Sequence, residues 1–151
     1  MYSTFSQSEI VKFYTTQFEE TLAQSHSWWD MCHNFIQLLF PTTKPSAHHP
    51  NSPILTIDDA LFLNRNKEKI ERALVKFQSF MEQNWQFEQF NHNFLRITRI
   101  IQCLNEIKLQ SLAASFYDWA CECVQANNTR GFKQADINLH WNEALKIQPI
   151  I

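Results

Sequence analysis

Glycine is nearly absent from the sequence, which contains it once in 151 residues, at Gly131. Tight β-hairpin turns and the loops that cradle nucleotide phosphates both depend on glycine, because it adopts backbone conformations that other residues avoid. Proline occurs five times, and four of these residues lie between Pro41 and Pro53. The sequence therefore excludes Gly-rich nucleotide-binding loops and argues against an architecture built on β-turns.

Long apolar runs and a strong charge of one sign are also missing. No segment approaches the roughly 18 consecutive apolar residues of a membrane span, and the N-terminal sequence lacks a basic stretch followed by an apolar one. The formal net charge is -2, so there is no overall electrostatic attraction towards nucleic acid or an anionic membrane. We therefore predict an intracellular, soluble protein with no membrane span and no nucleic-acid partner.

Potential metal ligands do not occur in a metal-binding spacing. The four cysteines are Cys32, Cys103, Cys121 and Cys123. Cys121 and Cys123 form the one close pair, but side chains two residues apart on a helix point about 200° away from each other. His48 and His49 lie in the proline-rich stretch without a nearby carboxylate or thiol. We expect buried, reduced thiols in a reducing compartment, and neither a metal ion nor another cofactor.

The spacing of apolar residues predicts a single domain, residues 1–151, formed by six to seven helices. Pro41 ends the second helix and opens a long proline-rich loop that continues to Pro53. Thirteen Phe and five Trp supply a large aromatic core. The predicted fold class is therefore all-α, a compact bundle with one long proline-rich loop. The first predicted helix begins after Ser6 or Ser8 and runs to about Gln24. The others span about Trp28–Phe40, Ile57–Asn64, Asn66–Gln86, Asn93–Leu109, Ser111–Ala126 and Asp136–Ile147.

A first polar strip interrupts the predicted helix Trp28–Phe40, whose other side chains are mostly apolar. It consists of Asp30, His33, Asn34 and Gln37. Asp30 and His33 are three residues apart, and His33 and Gln37 are four apart, so on a helix these side chains share one face. Such a strip can bind a ligand, or it can act as a general base in which an aspartate orients a histidine. It can equally satisfy the backbone of a loop that packs over the helix.

A second polar strip begins at His92 and Asn93 and continues to Arg96 and Arg99 on the predicted fifth helix. The two arginines suit a carboxylate clamp, because guanidinium groups bind carboxylates through paired hydrogen bonds and the N-terminus of a helix attracts anions. Alternatively, they form salt bridges with neighbouring helices, for example with Glu106. We take the members of both strips as candidate ligand-binding residues.

Motifs of the common enzyme classes are absent from the sequence. It contains no HExxH zinc motif, no paired catalytic carboxylates, no Walker lysine and no arguable Ser-His-Asp or Cys-His set. We therefore predict a noncatalytic protein without catalytic residues. Two alternatives stay open. One is an enzyme of an unrecognised class that uses Asp30, His33 and His92, and the other is a purely structural domain in which the polar strips only bridge helices and the proline-rich loop.

Both polar strips also lie in segments that resemble a known protein family. Residues 33–41, HNFIQLLFP, resemble the signature HNYIQWLFP, and residues 91–100, NHNFLRITRI, resemble the signature SHNxLRITRIL. The family with these two signatures, in this order, is the opioid growth factor receptor conserved domain family. The resemblance is strongest over residues 28–109. Three apolar exchanges separate the chain from the signatures: Phe35 for Tyr, Leu38 for Trp and Ile101 for Leu.

The resemblance implies a receptor domain that binds a peptide, because the vertebrate members of the family are described as receptors for the enkephalin pentapeptide that restrain cell growth. It carries no established binding residues over to this sequence. Our leading hypothesis is a noncatalytic domain in which the two polar strips converge on one groove that holds a peptide or protein segment. The terminal carboxylate of a peptide suits Arg96 and Arg99, and the proline-rich loop is the part expected to move with a ligand. The ligand and the oligomeric state stay open.

Overall fold

The computed structural model describes residues 8–46, 49–127, 129 and 137–151, and these residues form an all-α structure without a β-strand. The predicted fold class is thus confirmed. In chain order the elements are α1 (Glu9–Thr16), α2 (Phe18–Ala23), α3 (His26–Met31), α4 (Ile36–Leu39), α5 (Ile57–Arg65), α6 (Lys67–Gln83), α7 (Asn93–Glu106), α8 (Gln110–Ala126), a π-helix (Ile137–Asn142) and α9 (Glu143–Leu145).

Helix α7 lies at the centre of the core, and its apolar spacing explains this position. Phe94, Ile97, Ile101 and Leu104 recur at intervals of three and four residues, so they form one continuous face. Each of them is at most 1 % exposed. This helix packs against α8, the π-helix and α9, and Trp141 of the π-helix stacks on Phe94 with ring centroids 5.9 Å apart. The core therefore fixes the position of the polar side chains on the other faces of α7.

Three of the predicted helices each correspond to two elements in the structure. The first predicted helix forms α1 and α2, because the backbone of Gln17 leaves the helical conformation (φ -122°, ψ -6°). The prediction of one helix through residues 28–40 is wrong, since α3 ends at Met31 and α4 begins at Ile36. Cys32 has an extended backbone, and the Cys-His-Asn sequence at this point has weak helix propensity. The predicted last helix consists of the π-helix followed by α9.

The proline-rich loop between α4 and α5 contains no helix in the part that the structure describes. Its first residues are fixed in place. Thr42 is buried, and its carbonyl oxygen accepts a hydrogen bond from the amide of Leu55 at 2.9 Å. Thr43 donates to the carboxylate of buried Glu106, at the end of α7, from its amide (2.9 Å) and from its hydroxyl (2.5 Å). The beginning of the loop is thereby held against α7.

The four cysteines are free, but they differ in burial. Cys103 is fully buried, whereas Cys32, Cys121 and Cys123 are half-buried, so the expectation of buried thiols is right only for Cys103. Within the described ranges, no group of three or more His, Cys, Asp and Glu side chains could hold a metal ion. None of the helices described is both long and apolar enough to pass through a bilayer. His48 and Asp136, which figured in the sequence predictions, lie outside the described residues.

Candidate functional site

The polar site begins where α3 ends. Carbonyl oxygens in the last turn of a helix have no partner within the helix, so they depend on donors from elsewhere. Arg96 of α7 supplies two such donors. Its Nη1 atom donates to the carbonyl oxygen of Trp29 at 2.5 Å, and its Nη2 atom donates to that of Cys32 at 2.6 Å. Arg96 is only 6 % exposed, and its guanidinium lies 5.4 Å from the ring centroid of Phe35. Its two hydrogen bonds therefore hold the break between α3 and α4 in place.

His92 and Asn93 bind the same end of α3. The Nε2 atom of His92 lies 3.3 Å from the carbonyl oxygen of Asp30 and 3.4 Å from its Oδ1 atom. The Nδ2 atom of Asn93 donates to Oδ1 of Asp30 at 3.1 Å and to Oε1 of Gln86 at 3.0 Å. The Oδ1 atom of Asn93 is buried and has no partner among the described residues. These contacts join α7 to α3 and to the segment that precedes α7.

Arg99 is less fully engaged than Arg96. Its Nη1 atom donates to the carbonyl oxygen of Phe40, the residue that follows α4, at 3.1 Å. Within the described part of the chain, neither arginine forms an ion pair with a carboxylate, so the alternative of salt bridges to acids such as Glu106 is not what the structure shows. Burial lowers the pKa of Arg99, although Cys103 and Glu106 oppose the shift. Because Nη1 makes its hydrogen bond to Phe40 alone, the guanidinium of Arg99 retains other N–H donors for a ligand.

A cavity of about 390 Å³ lies where α4, the proline-rich loop and α7 meet. It combines side chains from both polar strips, and the rings of His33 and His92, one from each strip, are 5.2 Å apart. We call this space the His33–Arg99 cavity. It is lined by His33, Ile36, Gln37, Ser46, His49, His92, Leu95, Arg96 and Arg99. Five of the eight candidate residues are thus brought to one place.

Gln37 differs from the other polar residues of the wall in having an orphaned atom. It lies in α4, is 6 % exposed and lines the His33–Arg99 cavity. Its Oε1 atom is buried and accepts no hydrogen bond from the residues that the structure describes. A buried acceptor without a donor destabilises the folded protein by about 1–3 kcal/mol.

Three of the predicted site residues lie outside the His33–Arg99 cavity. Asp30 lines a neighbouring polar cavity of about 660 Å³, which also touches His92. Asn34 is exposed, and its Oδ1 atom accepts a hydrogen bond from Sγ of Cys32 at 3.1 Å. Asn93 is fully buried beneath the site. His92 is therefore the residue that the two cavities share.

The predicted common face of Asp30, His33 and Gln37 is wrong. Spacings of three and four residues place side chains on one face only while the helix continues. Here α3 ends at Met31, so Asp30 belongs to α3, His33 to the non-helical connection and Gln37 to α4. His33 and Gln37 still share a wall, because Arg96 and Arg99 fold the connection and α4 onto α7.

Four residues of the cavity were not among the sequence-predicted site residues. Ser46 and His49 come from the proline-rich loop, whose path no local pattern predicts. Ile36 was assigned to the apolar core, and it is indeed buried. The apolar spacing of the predicted helix Asn93–Leu109 assigns Leu95 to the core as well, but Leu95 is 46 % exposed at the cavity. The spacing contains a signal for Leu95, which follows His92 by three residues and precedes Arg99 by four.

The electrostatic character of the cavity is cationic. Burial lowers the pKa of Arg96 to about 10, with Asp30 opposing the shift, so the guanidinium stays charged at neutral pH. Burial also lowers the pKa of His33, and the charges of Arg96, His92 and His49 add to the shift while Asp30 opposes it. His33 is therefore neutral near pH 7, and the arginines supply the charge. Such a wall favours an anionic group.

A family model described as the opioid growth factor receptor (OGFr) conserved region matches residues 62–146, more than half of the chain. The chain belongs to the opioid growth factor receptor conserved-region family. The suspected resemblance is confirmed in this range, which contains the second signature, whereas residues 33–41 precede the matched range. No curated protein and no solved structure matches the chain.

The residues that line the cavity come partly from the range that matches the opioid growth factor receptor conserved region and partly from the segment before it. The matched range contains His92, Asn93, Leu95, Arg96 and Arg99, all at or in α7. The opposite wall, with His33, Gln37 and the proline-rich loop, comes from residues before position 62. The conserved region of the family thus supplies the cationic side of the cavity, and the preceding segment completes it.

Proposed function

We propose that this protein is a noncatalytic helical domain that binds a peptide or protein segment in the His33–Arg99 cavity. One observation carries the proposal: side chains from both polar strips, far apart in the sequence, line a single cavity of about 390 Å³. This volume is within the range of about 300–1,000 Å³ that is common for ligand pockets. The membership in a family named after a peptide receptor supports the same assignment.

The composition of the wall supports a peptide rather than a purely ionic ligand. Ile36 and Leu95 provide apolar surface, while Arg99 provides donors. A peptide offers the matching groups, since it has amide N–H donors, carbonyl or carboxylate acceptors and apolar side chains. Few polar groups in a mostly apolar wall are typical of sites that orient a ligand.

The separation of Asp30 and His33 into two different cavities supports a noncatalytic role. The enzymatic alternative requires Asp30, His33 and His92 to act on one substrate. Asp30 lies against the neighbouring cavity and binds Asn93 and His92, whereas His33 lines the His33–Arg99 cavity. The purely structural alternative explains the donors of Asn93 and Arg96, but it does not account for a cavity lined by side chains from both polar strips. We propose a role in growth regulation only as a consequence of peptide binding.

The proposal is tested with an array of synthetic random hexapeptides and two matched variants. Peptides that bind the wild-type protein are titrated by fluorescence anisotropy, and the contact surface is mapped by amide chemical shifts. We expect the shifts to concentrate at the residues that line the cavity. Leu95→Trp should fill the cavity and weaken binding at least about tenfold, since affinity depends on filling this space.

Ile57→Trp serves as the control, because Ile57 is similarly exposed (59 %) and lies at the start of α5, outside the lining of the cavity. It should leave binding unchanged. An absence of binding peptides, or peptides whose shifts map elsewhere and ignore Leu95→Trp, would contradict the proposal.

A further inference from the structure

A separate cavity of about 400 Å³ lies between the end of α6, the segment that follows α6, and α8. Its wall is aromatic and acidic, and none of the lysine, arginine and histidine side chains that the structure describes lines it. We call this space the Trp85–Trp119 cavity. The side chains that characterise it are Glu82, Trp85, Phe87, Trp119, Glu122 and Cys123.

Two of the aromatic rings of this cavity are fixed by the fold. The ring centroids of Phe87 and Trp119 are 5.4 Å apart, and the ring planes are inclined at 77°. Phe87 is only 2 % exposed, and the Nε1 atom of Trp119 donates to Oε1 of Glu82 at 2.8 Å. The indole of Trp119 is thereby oriented in advance, so that binding costs little free energy for ordering it.

Trp85 adds a third aromatic ring, and its backbone conformation is unusual. It is the second residue after α6 and has a φ of 60°, in the left-handed region that glycine commonly occupies at the end of a helix. A bulky side chain in this region raises the free energy of the folded chain. Trp85 is nevertheless 73 % exposed, so burial in the core does not offset this cost. An exposed aromatic residue with a strained backbone at a cavity points to contact with a ligand.

The charge at this cavity is negative. Glu82 and Glu122 are exposed, and within the described part of the chain neither forms an ion pair. The hydrogen bonds that Glu82 accepts from Trp119 and Cys123 both end on Oε1, so Oε2 can face a ligand. Burial raises the pKa of Cys123 to about 12, and the charges of Glu82 and Glu122 add to the shift. The thiol is therefore neutral, and the two carboxylates favour a cationic ligand.

We infer that the Trp85–Trp119 cavity binds an organic cation, in which a positively charged nitrogen carries apolar carbon groups. The faces of aromatic rings attract such a cation, tryptophan most strongly, and the rings also contact its carbon groups. Glu82 and Glu122 supply the opposite charge. A metal ion does not suit this wall, because in the described ranges no group of three or more side chains could hold one. The site is independent of the proposed function, since no described residue lines both this cavity and the His33–Arg99 cavity.

The test compares choline with the neutral alcohol in which a carbon atom replaces the nitrogen of choline. Both probes are titrated into the whole, isotope-labelled protein at low ionic strength, and the indole N–H signals of Trp85 and Trp119 are followed by NMR. We expect choline to shift both signals and to bind at least about fivefold more tightly than the alcohol, because the alcohol has the same shape without the charge. Equal affinity of the two probes, or no shift with choline, overturns the inference.

Two further probes identify the source of the cation. They are capped derivatives of lysine and of trimethyllysine, which present the charged group on a protein side chain. Tighter binding of either derivative than of choline supports the inference and assigns the cation to a polypeptide. Tighter binding of choline also supports it and assigns the cation to a small molecule.

Trp85→Gly separates the role of the ring from the stability of the fold. Glycine suits a positive φ, so thermal unfolding should occur at an unchanged or higher temperature, whereas choline should bind at least about fivefold more weakly. Lys108→Gly is the matched control, because Lys108 has a φ of 64° after α7 and does not line the cavity. It should leave choline binding unchanged. Binding of choline to Trp85→Gly with wild-type affinity, followed at Trp119, overturns the assignment of the site.

Glu122→Gln tests the contribution of charge. It keeps the size of an exposed side chain, so it should weaken choline binding about threefold and leave binding of the neutral alcohol unchanged. Glu68→Gln, at an exposed acid of α6 outside the cavity lining, is the control and should affect neither probe. Unchanged choline binding in Glu122→Gln, or an equal loss for choline and the alcohol, contradicts selection of the ligand by its positive charge.

Discussion

The polar residues around α7 form two groups that differ in how fully their side-chain nitrogens are engaged in hydrogen bonds. Asn93 and Gln37, one in each group, both have a buried oxygen without a partner among the described residues. In the anchored group, Asn93 and Arg96 are buried, and every terminal nitrogen donates to α3 or to the residues beside it. In the cavity group, Gln37 has an orphaned acceptor and Arg99 makes a single carbonyl contact. Arg96 and Arg99 are only three residues apart in the sequence, so the use of their donor nitrogens, rather than their position, distinguishes the scaffold from the binding surface.

His92 connects the anchored group to the cavity group. It contacts the end of α3 through Asp30 and at the same time lines the cavity, where its ring lies against His33. A ligand that contacts His92 therefore touches a residue that also holds α3. The comparison predicts that changes in the anchored group alter stability, whereas changes in the cavity group alter binding.

The largest effect is expected from Arg96→Ala. The change removes two charge-assisted hydrogen bonds and leaves the carbonyl oxygens of Trp29 and Cys32 without their donors, so unfolding should become easier by about 3 kcal/mol. Arg99→Ala, which removes one longer bond, should lower the free energy of unfolding by about 1 kcal/mol. Urea unfolding followed by circular dichroism measures both, with exposed Arg65→Ala as the control. Equal losses for Arg96→Ala and Arg99→Ala would remove the distinction between the groups.

A somewhat smaller effect is expected from Glu106→Ala, which acts on the proline-rich loop. The buried carboxylate accepts two hydrogen bonds from Thr43, and their loss should lower the free energy of unfolding by about 2 kcal/mol. Hydrogen exchange should accelerate at the amides of Thr43 and Leu55, since the start of the loop is released. Glu68→Ala, at an exposed acid on α6, is the control. Unchanged exchange at Thr43 would show that other contacts hold the loop.

The sequence predicted α5 to α8 well because their apolar residues repeat with helical spacing over long segments. It failed at residues 28–40, where the chain is equally apolar but stops being helical after Met31. The cause is a long-range contact: Arg96 and His92, more than sixty residues away, supply donors to the freed carbonyl oxygens. The spacing of apolar residues along the chain carries no information about such distant partners. The sequence predicted a ligand-binding position for both Arg96 and Arg99. It could not predict that both terminal nitrogens of Arg96 bind backbone carbonyl oxygens, because those partners lie in and beside α3.

Gln37→Leu should stabilise the folded protein. Leucine has a similar size and removes the orphaned acceptor, so we expect the free energy of unfolding to rise by up to about 1 kcal/mol. Asn93→Leu is the counterpart from the anchored group. It also removes an unpaired oxygen, but it should destabilise the protein because Asp30 and Gln86 each lose a donor. Thermal unfolding of both variants distinguishes the groups by sign. Destabilisation by Gln37→Leu would mean that its carboxamide already serves the fold.

The smallest expected effect concerns pH. The folded-state pKa of His33 is lowered by burial first and then by Arg96, His92 and His49, with Asp30 opposing, so the unfolded chain takes up a proton before the folded one. The free energy of unfolding should therefore fall as pH drops through about 6.5, and this slope should become shallower in His33→Gln. His26, whose pKa is also lowered by burial and then by Lys76, contributes in the same direction, so His26→Gln should reduce the slope as well.

His26 and His33 should behave differently once a ligand is bound. His26 contacts Asn84 and Phe80, away from the cavity, whereas His33 lines it. A carboxylate beside His33 favours its protonated form, so a carboxylate ligand should bind more tightly at pH 5.5 than at pH 7.5. Calorimetry in buffers of different ionisation enthalpy measures the linked proton uptake. His33→Gln should abolish this uptake and His26→Gln should preserve it. Uptake that persists in His33→Gln would assign the proton to another group and place the anion away from His33.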